Sequence, residues 1–227
     1  REDQSEFLAN LLAEEVKDIE PVFLDFENDI QKSNVGDVEL FYKENTENER
    51  FKLNYILEMG KDHDVKLKLA VDYLKYLGTD AMSPSQKEEE FYKLGCDLSV
   101  NCGSEKTTIT LSGLANNFDE SVALFEQILA GAVADDEALE NLKLSELKGR
   151  NDAKLNKQII LWRAMGSYAK YGDNSSFRNI LSEGDLNNVT SAELVDLIHN
   201  LTSYEHKIMY YGPEQINKVA SDLEKLH

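Results

Sequence analysis

The chain has 227 residues but only three prolines and two cysteines, and it contains no low-complexity run. This composition excludes collagen-like and repetitive classes and is typical of a globular protein. No apolar stretch approaches the roughly 20 residues that a membrane-spanning helix needs, so no membrane span is expected. With 41% hydrophobic residues, a chain of this length can bury a substantial core, as one large domain or two small ones.

The two cysteines, Cys96 and Cys102, stand at the ends of the segment CDLSVNC. If this segment is a strand, six residues at roughly 3.3 Å each separate them by about 20 Å, which is far beyond disulfide reach. Their even spacing places both on one face of that strand. We therefore expect two buried thiols, and these leave the cellular compartment open.

Basic residues are scarce: 24 Lys and Arg stand against 43 Asp and Glu, a formal net charge of −19. Phosphate binding needs clustered basic side chains, so the charge argues against a nucleic-acid partner. An acidic surface could steer basic peptides towards the protein, or it could simply keep the protein soluble. The first residue is Arg1, with no signal-type apolar region behind it, so we expect a processed or cloned piece of a longer protein.

The motifs of common catalytic sites are missing as well. Neither GxSxG, GxGxxG nor GxxxxGK occurs, and the cysteines have no histidine in a recognisable local relation. No two of the four histidines stand three or four residues apart. The segment TSYEH, residues 202–206, has Thr202 where an HxxEH motif has its first histidine. It lies at the entry to a predicted strand, where positions i and i+4 do not converge.

Hydrophobic periodicity predicts an α+β protein. Alternating apolar residues predict strands over 38–45, 50–60, 96–102, 106–114 and 204–212. Helical spacing and capping residues predict helices over 63–77, 83–95, 118–133, 135–171 and 192–201, and from Pro213 onwards. A break is expected in the fourth helix near Gly149–Asp152. This order predicts a two-layer sandwich, a largely antiparallel mixed sheet with helices packed on one face.

We predict that residues 1–34 form a lead-in or connector from a preceding domain and that residues 35–227 form the α+β domain. Residues 1–34 begin with helical periodicity and continue as a polar, irregular run through Pro21. The regular alternation of strand and helix patterns starts only after this region.

The stretch LAVDYLKYLGTDAMSPSQKEEEFYKLG, residues 69–95, is an amphipathic helix ending in LGT, a short loop, a second helix capped by Ser-Pro, and a closing LG. The segments CDLSVNCG, TTITLSGL, NFDESVALFEQIL, NVTSAELVDLIHNL and YYGP follow in order. This arrangement resembles the pitrilysin/insulinase family of zinc peptidases over roughly residues 20–225. The order of the pieces carries the resemblance, and no single motif does.

The resemblance also implies that the metal ligands are missing. Active members carry HxxEH on the first helix. Counting back from the GT pair, Leu69 stands at the first zinc histidine, Asp72 at the glutamate and Tyr73 at the second histidine. Leucine has no lone pair, and a neutral tyrosine is a poor zinc donor. Asp72 is one methylene shorter than glutamate and has no metal-bound water to activate.

The family's third zinc ligand is a glutamate on a later helix, and Glu140 and Glu146 fall in that region. A lone carboxylate makes no zinc site, so we expect no catalytic, cofactor-binding or metal-ligating residue in this chain. Zinc is expected in the catalytic half of the parent protein instead. Arg163, in LWRAMGSY, is expected to be an ordinary helix residue.

Members of the family are built from a catalytic half and an inactive half that close around a peptide chamber. The resemblance therefore implies a non-catalytic domain of a pitrilysin-like zinc metallopeptidase, involved in proteolysis. Its partners would be a catalytic peptidase domain, in the same chain or in a partner subunit, and the peptide substrate in the shared chamber. The alternative is a free-standing α+β protein-interaction scaffold with no peptidase partner. A third reading, an isolated active enzyme, has no catalytic motif to support it.

Overall fold

The computed structural model describes residues 5–14, 20–21, 23–175 and 179–227. Within these ranges the chain forms a six-stranded mixed sheet with helices packed on one face. The strands are β1 (Gln31–Val35), β2 (Val38–Glu44), β3 (Arg50–Leu57), β4 (Cys96–Cys102), β5 (Thr107–Leu114) and β6 (His206–Gly212). The α-helices are α1 (Glu6–Ala13), α2 (Val65–Leu74), α3 (Pro84–Leu94), α4 (Phe118–Gly131), α5 (Asp136–Leu155), α6 (Gly166–Tyr171), α7 (Glu183–Asn188), α8 (Ser191–His199) and α9 (Ile216–Leu226).

The strand order across the sheet is β1-β2-β6-β3-β5-β4. Only the β2–β6 pairing is parallel, and the other four pairings are antiparallel. The predicted α+β sandwich with a largely antiparallel mixed sheet is therefore confirmed. Each of the five predicted strands is present, whereas β1 was not predicted. This strand crosses the boundary proposed between residues 34 and 35, and the division into connector and domain stays a prediction.

The central strand β3 shows why helices cover one face only. Its alternate residues Phe51, Leu53, Tyr55 and Leu57 are buried, whereas Lys52 on the opposite face is exposed. The Phe51 ring packs edge-on against Phe118 of α4, with 5.0 Å between the ring centroids. Burying one face of an alternating strand against helices removes its apolar side chains from water and leaves the polar face solvated.

Both cysteines lie on the helix-covered face of β4, buried and unpaired, as predicted. Burial raises the pKa of the Cys96 and Cys102 thiols. A thiol that stays protonated is a poor nucleophile and a poor metal ligand. The two side chains therefore act as small apolar groups of the core.

Helix α5 runs without interruption from Asp136 to Leu155, so the break predicted near Gly149–Asp152 is wrong. The break falls at Asn156, whose backbone is extended. The Asn156 Oδ1 atom accepts hydrogen bonds from the backbone N–H groups of Gln158 and Ile159, at 3.0 and 3.2 Å. Asn156 thus ends one helix and caps the next. The low helix propensity of the single Gly149 is not enough to end α5 earlier.

Helix α2 ends against a buried lysine of α3. Ser83 and Gln86 form a capping box that starts α3 and fixes its first turn. Lys87, only 4% exposed, then donates from Nζ to the carbonyl oxygens of Leu74, Lys75 and Leu77, at 3.3, 3.2 and 3.0 Å. These carbonyls belong to the last turn of α2 and the residues after it, which have no partner within the helix.

Burial lowers the pKa of Lys87, but its ammonium group has three acceptors at the negative end of the α2 dipole. Replacing Lys87 with Met keeps most of the side-chain volume and removes the donors. We expect Lys87→Met to lower the free energy of unfolding by about 1–3 kcal/mol in urea denaturation, because the Lys75 and Leu77 carbonyls lose the ammonium donor. The control Lys93→Met, on the exposed side of the same helix, should change it little. Equal losses in the two variants would contradict this capping role.

Candidate functional site: the degenerate motif helix

The three motif positions lie on α2, but their side chains occupy three different environments. Leu69 and Tyr73 are buried, whereas the Asp72 side chain is partly exposed. Spacing of i, i+3 and i+4 brings three Cα–Cβ bonds to one side of a helix. The surrounding helices then determine where each side chain ends.

Tyr73 holds the start of α5. Its hydroxyl donates to the Asp135 carbonyl oxygen and accepts from the Asp135 backbone N–H, both at 2.7 Å. Asp135 is the N-cap residue of α5, and its Oδ1 atom accepts from Ala138 N at 2.9 Å. Burial raises the pKa of Tyr73. The phenol is therefore neutral, uses both its donor and one acceptor position, and has a structural role that a zinc ligand could not share.

Asp72 is paired with two lysines of its own helix. Its Oδ2 atom forms an ion pair with Lys68, and its Oδ1 atom lies 3.0 Å from Lys75 Nζ. These pairs stand at i, i+4 and i, i+3 spacing, the arrangement that stabilises exposed helix faces. The carboxylate is thus neutralised by local cations rather than aimed at a water molecule.

A cavity of about 190 Å³ lies between α2 and α5, beside Leu69 and Asp72. Glu146, one of the two candidate third ligands, lines it. The Glu146 Oε1 atom accepts from Arg150 Nε at 3.0 Å, and Arg150 Nη1 donates to the Leu181 carbonyl oxygen at 2.7 Å. A guanidinium group therefore supplies the positive charge that faces Glu146. Sequence reasoning missed Arg150, although its i, i+4 spacing from Glu146 was a visible signal.

The donor set does not fit a zinc ion. Leu69 offers no lone pair, Tyr73 is engaged twice with the backbone, and Asp72 and Glu146 are each paired with cations. Zinc sites are built from deprotonated thiols, imidazoles and carboxylates that converge on one point. Across residues 5–14, 20–21, 23–175 and 179–227, no three His, Cys, Asp or Glu side chains are grouped so that they could hold a metal ion.

The other sequence candidates do not converge on this cavity. The Glu140 Oε1 atom lies 2.8 Å from Lys143 Nζ, on the surface of α5. The TSYEH segment spans a short 3₁₀ turn and the first residue of β6, with His206 turned into the core. Arg163 is exposed in a helical segment that follows α5.

Strand β4 is an edge strand with a groove beside it. Within the described ranges it pairs with β5 only, so its other edge has unpaired backbone groups. A groove of about 280 Å³ runs between this strand and helices α2 and α3. Its lining combines apolar side chains with two basic and two acidic ones: Val71, Phe91, Leu98 and Val100, with Lys75, Lys87, Glu88 and Asp97. Such an edge can pair with an extended peptide through its backbone.

A second exposed surface follows α5. We define the basic apolar segment as residues 153–172, which contain four Lys or Arg and no Asp or Glu, in a chain of net charge −19. Its helical part consists of a π-helical stretch, Ile159–Met165, followed by α6, and neither has a buried residue. Large apolar side chains are exposed along it: Ile160, Leu161, Trp162, Met165, Tyr168 and Tyr171.

No protein-family model matches the chain, and no curated protein matches it either. Solved structures do match. The chain superposes on a peptidase M16 inactive domain from Pseudomonas fluorescens with a TM-score of 0.73 and 16% identity, covering 87% of this chain and 50% of that one. It matches the periplasmic protease PqqL from Escherichia coli with a TM-score of 0.69 and 13% identity, covering 94% of this chain and 26% of that one. A protease from Helicobacter pylori matches with a TM-score of 0.67 and 12% identity, covering 87% of this chain and 49% of that one.

These similarities establish the fold: the chain has the fold of M16 peptidase domains, among them one described as inactive. The resemblance to that class of peptidase, which the order of sequence segments indicated, is confirmed at the level of fold. The chain spans about half or about a quarter of the length of the structures it matches. No helix within the described ranges is both long enough and apolar enough to cross a membrane.

The double hydrogen bond of Tyr73 gives a direct test of its structural role. We expect Tyr73→Phe to lower the free energy of unfolding by about 1 kcal/mol, because the Asp135 backbone N–H loses its acceptor, whereas the Asp135 carbonyl keeps its bond from Leu139 N. The control Tyr76→Phe changes an exposed tyrosine just beyond α2 and should have little effect. Urea denaturation measures both variants. An unchanged stability in Tyr73→Phe would contradict this role of the Tyr73 hydroxyl.

Proposed function

We propose that this chain is a non-catalytic domain of a larger zinc metallopeptidase, which packs against a catalytic half and forms part of the wall of a peptide chamber. The observation that carries the proposal is a fold shared with an M16 inactive domain over half the length of that chain. The degenerate motif supports it, because the α2 positions that would ligate zinc serve packing and helix capping here. Zinc and the catalytic residues would belong to the other half.

The basic apolar segment, residues 153–172, supports the packing part of the proposal. Trp162 is 72% exposed, with apolar neighbours on both sides of it. Contiguous exposed apolar surface of this kind marks an interaction site. Trp, Tyr and Arg are the residue types that most often dominate binding energy at interfaces. The four basic side chains favour an acidic partner surface, and the companion half is the partner that the fold suggests.

The open edge of β4 supports the chamber part of the proposal. An extended peptide could pair with the free backbone groups of this strand while its side chains contact the adjacent groove. Main-chain pairing of this kind binds many sequences, because it reads the backbone rather than the side chains. The edge strand would thus bind peptides with little selectivity for their sequence.

A free-standing interaction scaffold is the rival function, and the same exposed surface would serve it. The two differ in what accompanies the chain. A peptidase domain needs a companion with an intact HxxEH motif, encoded in the same gene or beside it. A scaffold needs none, and the absence of such a companion would favour the scaffold.

The isolated chain should be inactive and free of zinc. We expect elemental analysis after dialysis to find well below about one zinc per chain, because the α2 and α5 donors are unavailable. A general peptidase assay on the same sample should detect no cleavage. One zinc per chain together with cleavage would overturn the non-catalytic role.

A reconstitution assay tests the packing directly. The HxxEH-bearing half alone should hydrolyse peptides poorly, and addition of this chain should restore hydrolysis. We expect Trp162→Ser to raise the concentration of this chain needed for half-maximal activity by at least about tenfold, because a central aromatic contact is lost.

The matched control for this assay is Tyr92→Ser, which changes an even more exposed aromatic residue, at 86%, on α3 and outside the basic apolar segment. This variant should behave like the unmodified chain. Equal effects of the two substitutions would contradict docking through the basic apolar segment. Activity that is independent of this chain would contradict the proposed function as a whole.

A further inference from the structure

A line of hydrogen bonds joins the end of the chain to the sheet. His206, the first residue of β6, has its Nδ1 atom 2.7 Å from the Tyr204 carbonyl oxygen. Its Nε2 atom lies 2.9 Å from the Nε2 atom of His227, directly after α9. The His227 Nδ1 atom lies 2.8 Å from Glu126 Oε1 on α4. The line therefore runs from a carbonyl oxygen through two imidazole rings to a carboxylate.

The three hydrogen bonds of this line need three hydrogens. Two neutral imidazoles and an ionised carboxylate together carry only two, so the line holds one extra proton. A carbonyl oxygen only accepts, so His206 Nδ1 carries a hydrogen. The link between the two Nε2 atoms needs a second hydrogen, and the link between His227 and Glu126 needs a third. Two neutral imidazoles carry two hydrogens between them. Without the third, either the two Nε2 lone pairs would face each other at 2.9 Å, or the bare His227 Nδ1 atom would face the Glu126 carboxylate at 2.8 Å.

The surroundings show where the extra positive charge lies. The titratable groups facing the pair are Glu126 of α4 and Tyr55 of β3, whose hydroxyl donates to Glu126 Oε1 at 3.1 Å. Burial raises the pKa of Tyr55 well above its usual range, so the phenol keeps its proton and remains a donor. Burial, the first cause, lowers the pKa of His206. The charge is therefore better placed on the His227 side, next to the Glu126 carboxylate.

We propose that a proton held between His206 and His227 latches α9 onto the sheet and α4, so that docking of this helix depends on pH. The apolar contacts of α9 run along the helix: Val219 and Leu223 are buried, and Ile216, Ala220 and Leu226 are partly buried against the core. The proton-bridged pair adds a polar contact directly after the last turn. Opening the latch would loosen the last turn of α9 and leave the strand pairing of the sheet intact.

The docking strength should pass through a maximum close to the ordinary histidine pKa of about 6.5. Below it, the undocked imidazoles each bind a proton while the docked pair shares one, so docking releases a proton and weakens as the pH falls. The lowered pKa of His206 agrees with this direction, because a histidine whose pKa is lower in the docked state loses its proton on docking. Above it, the undocked imidazoles are neutral while the docked pair keeps its proton, so docking weakens as the pH rises. Each proton changes the equilibrium by up to about tenfold per pH unit.

The first measurement is nitrogen-15 NMR of the histidine rings in residues 1–227, with EDTA in the buffer, between pH 5 and 8.5. Near pH 6.5 we expect both Nδ1 atoms to be protonated and the two Nε2 atoms to share one proton, with coupled titration of the two rings. A neutral His206 with a bare Nδ1 atom, or two rings that titrate independently, would overturn the proposal.

The second measurement is amide hydrogen exchange in α9, corrected for the intrinsic effect of pH on exchange. Protection should be greatest near pH 6.5 and fall several-fold by pH 5 and by pH 8.5. In His227→Gln only His206 remains to titrate, so the loss of protection between pH 6.5 and pH 8.5 should disappear, whereas a loss towards pH 5 can remain. The control His63→Gln changes an exposed histidine in the turn before α2 and should keep the full dependence. Flat protection in the unmodified chain would also overturn the proposal.

Discussion

The packing of α2 between β4 and helices α5 and α8 buries six of its ten residues. Apolar burial is the largest favourable contribution to folding, and a helix enclosed on several sides has little freedom in its sequence. Asp64 caps its first turn and Lys87 its last. The rest of the helical layer is built around it: Tyr73 fixes the start of α5, and the Lys66 ammonium group reaches Glu193 of α8 at 3.2 Å.

This burial also explains why the motif positions do not present a set of zinc donors. A zinc-binding helix needs polar ligands on the face that here meets α5, and such ligands are stable in a buried place only when a metal or hydrogen bonds satisfy them. Leu69 and Tyr73 remove that requirement, the first by its apolar side chain and the second by bonding the Asp135 backbone. On α5, Arg150 donates a hydrogen bond to Glu146 and balances its charge. Asp72 and Glu146 are thus each paired with basic side chains of their own helix.

Sequence reasoning was most reliable where one residue type has one physical consequence. The alternation of Phe51, Leu53, Tyr55 and Leu57 predicted a half-buried strand, and Ser83-Pro84 predicted a helix start. Strand β1, with the sequence QKSNV, has only Val35 buried, so its pairing with β2 depends on tertiary contacts that leave no periodic pattern.

The same distinction applies to the helices and to the candidate sites. At Gly149 the low helix propensity of one glycine did not end α5, which continues to Leu155 and ends at Asn156. The positions of Leu69, Asp72 and Tyr73 on one helix could be predicted from spacing alone. The bond from Tyr73 to the Asp135 backbone could not, because Asp135 lies 62 residues further along the chain, at the start of a separate helix. The line from Glu126 through His227 to His206 joins α4, the end of the chain and β6, and no local spacing indicates such a network.

The exposed surfaces favour a domain of a larger assembly over a free-standing scaffold. Because most of α2 is buried, contacts with other molecules would involve other surfaces, such as the β4 edge and the basic apolar segment. The segment is basic in a chain of net charge −19, so in an isolated scaffold it would attract the acidic surfaces of other copies. Its exposed Leu161, Trp162 and Met165 would then hold those copies together through apolar contact. A companion domain that covers the segment removes both problems at once, since the same contact neutralises the charge and buries the apolar side chains.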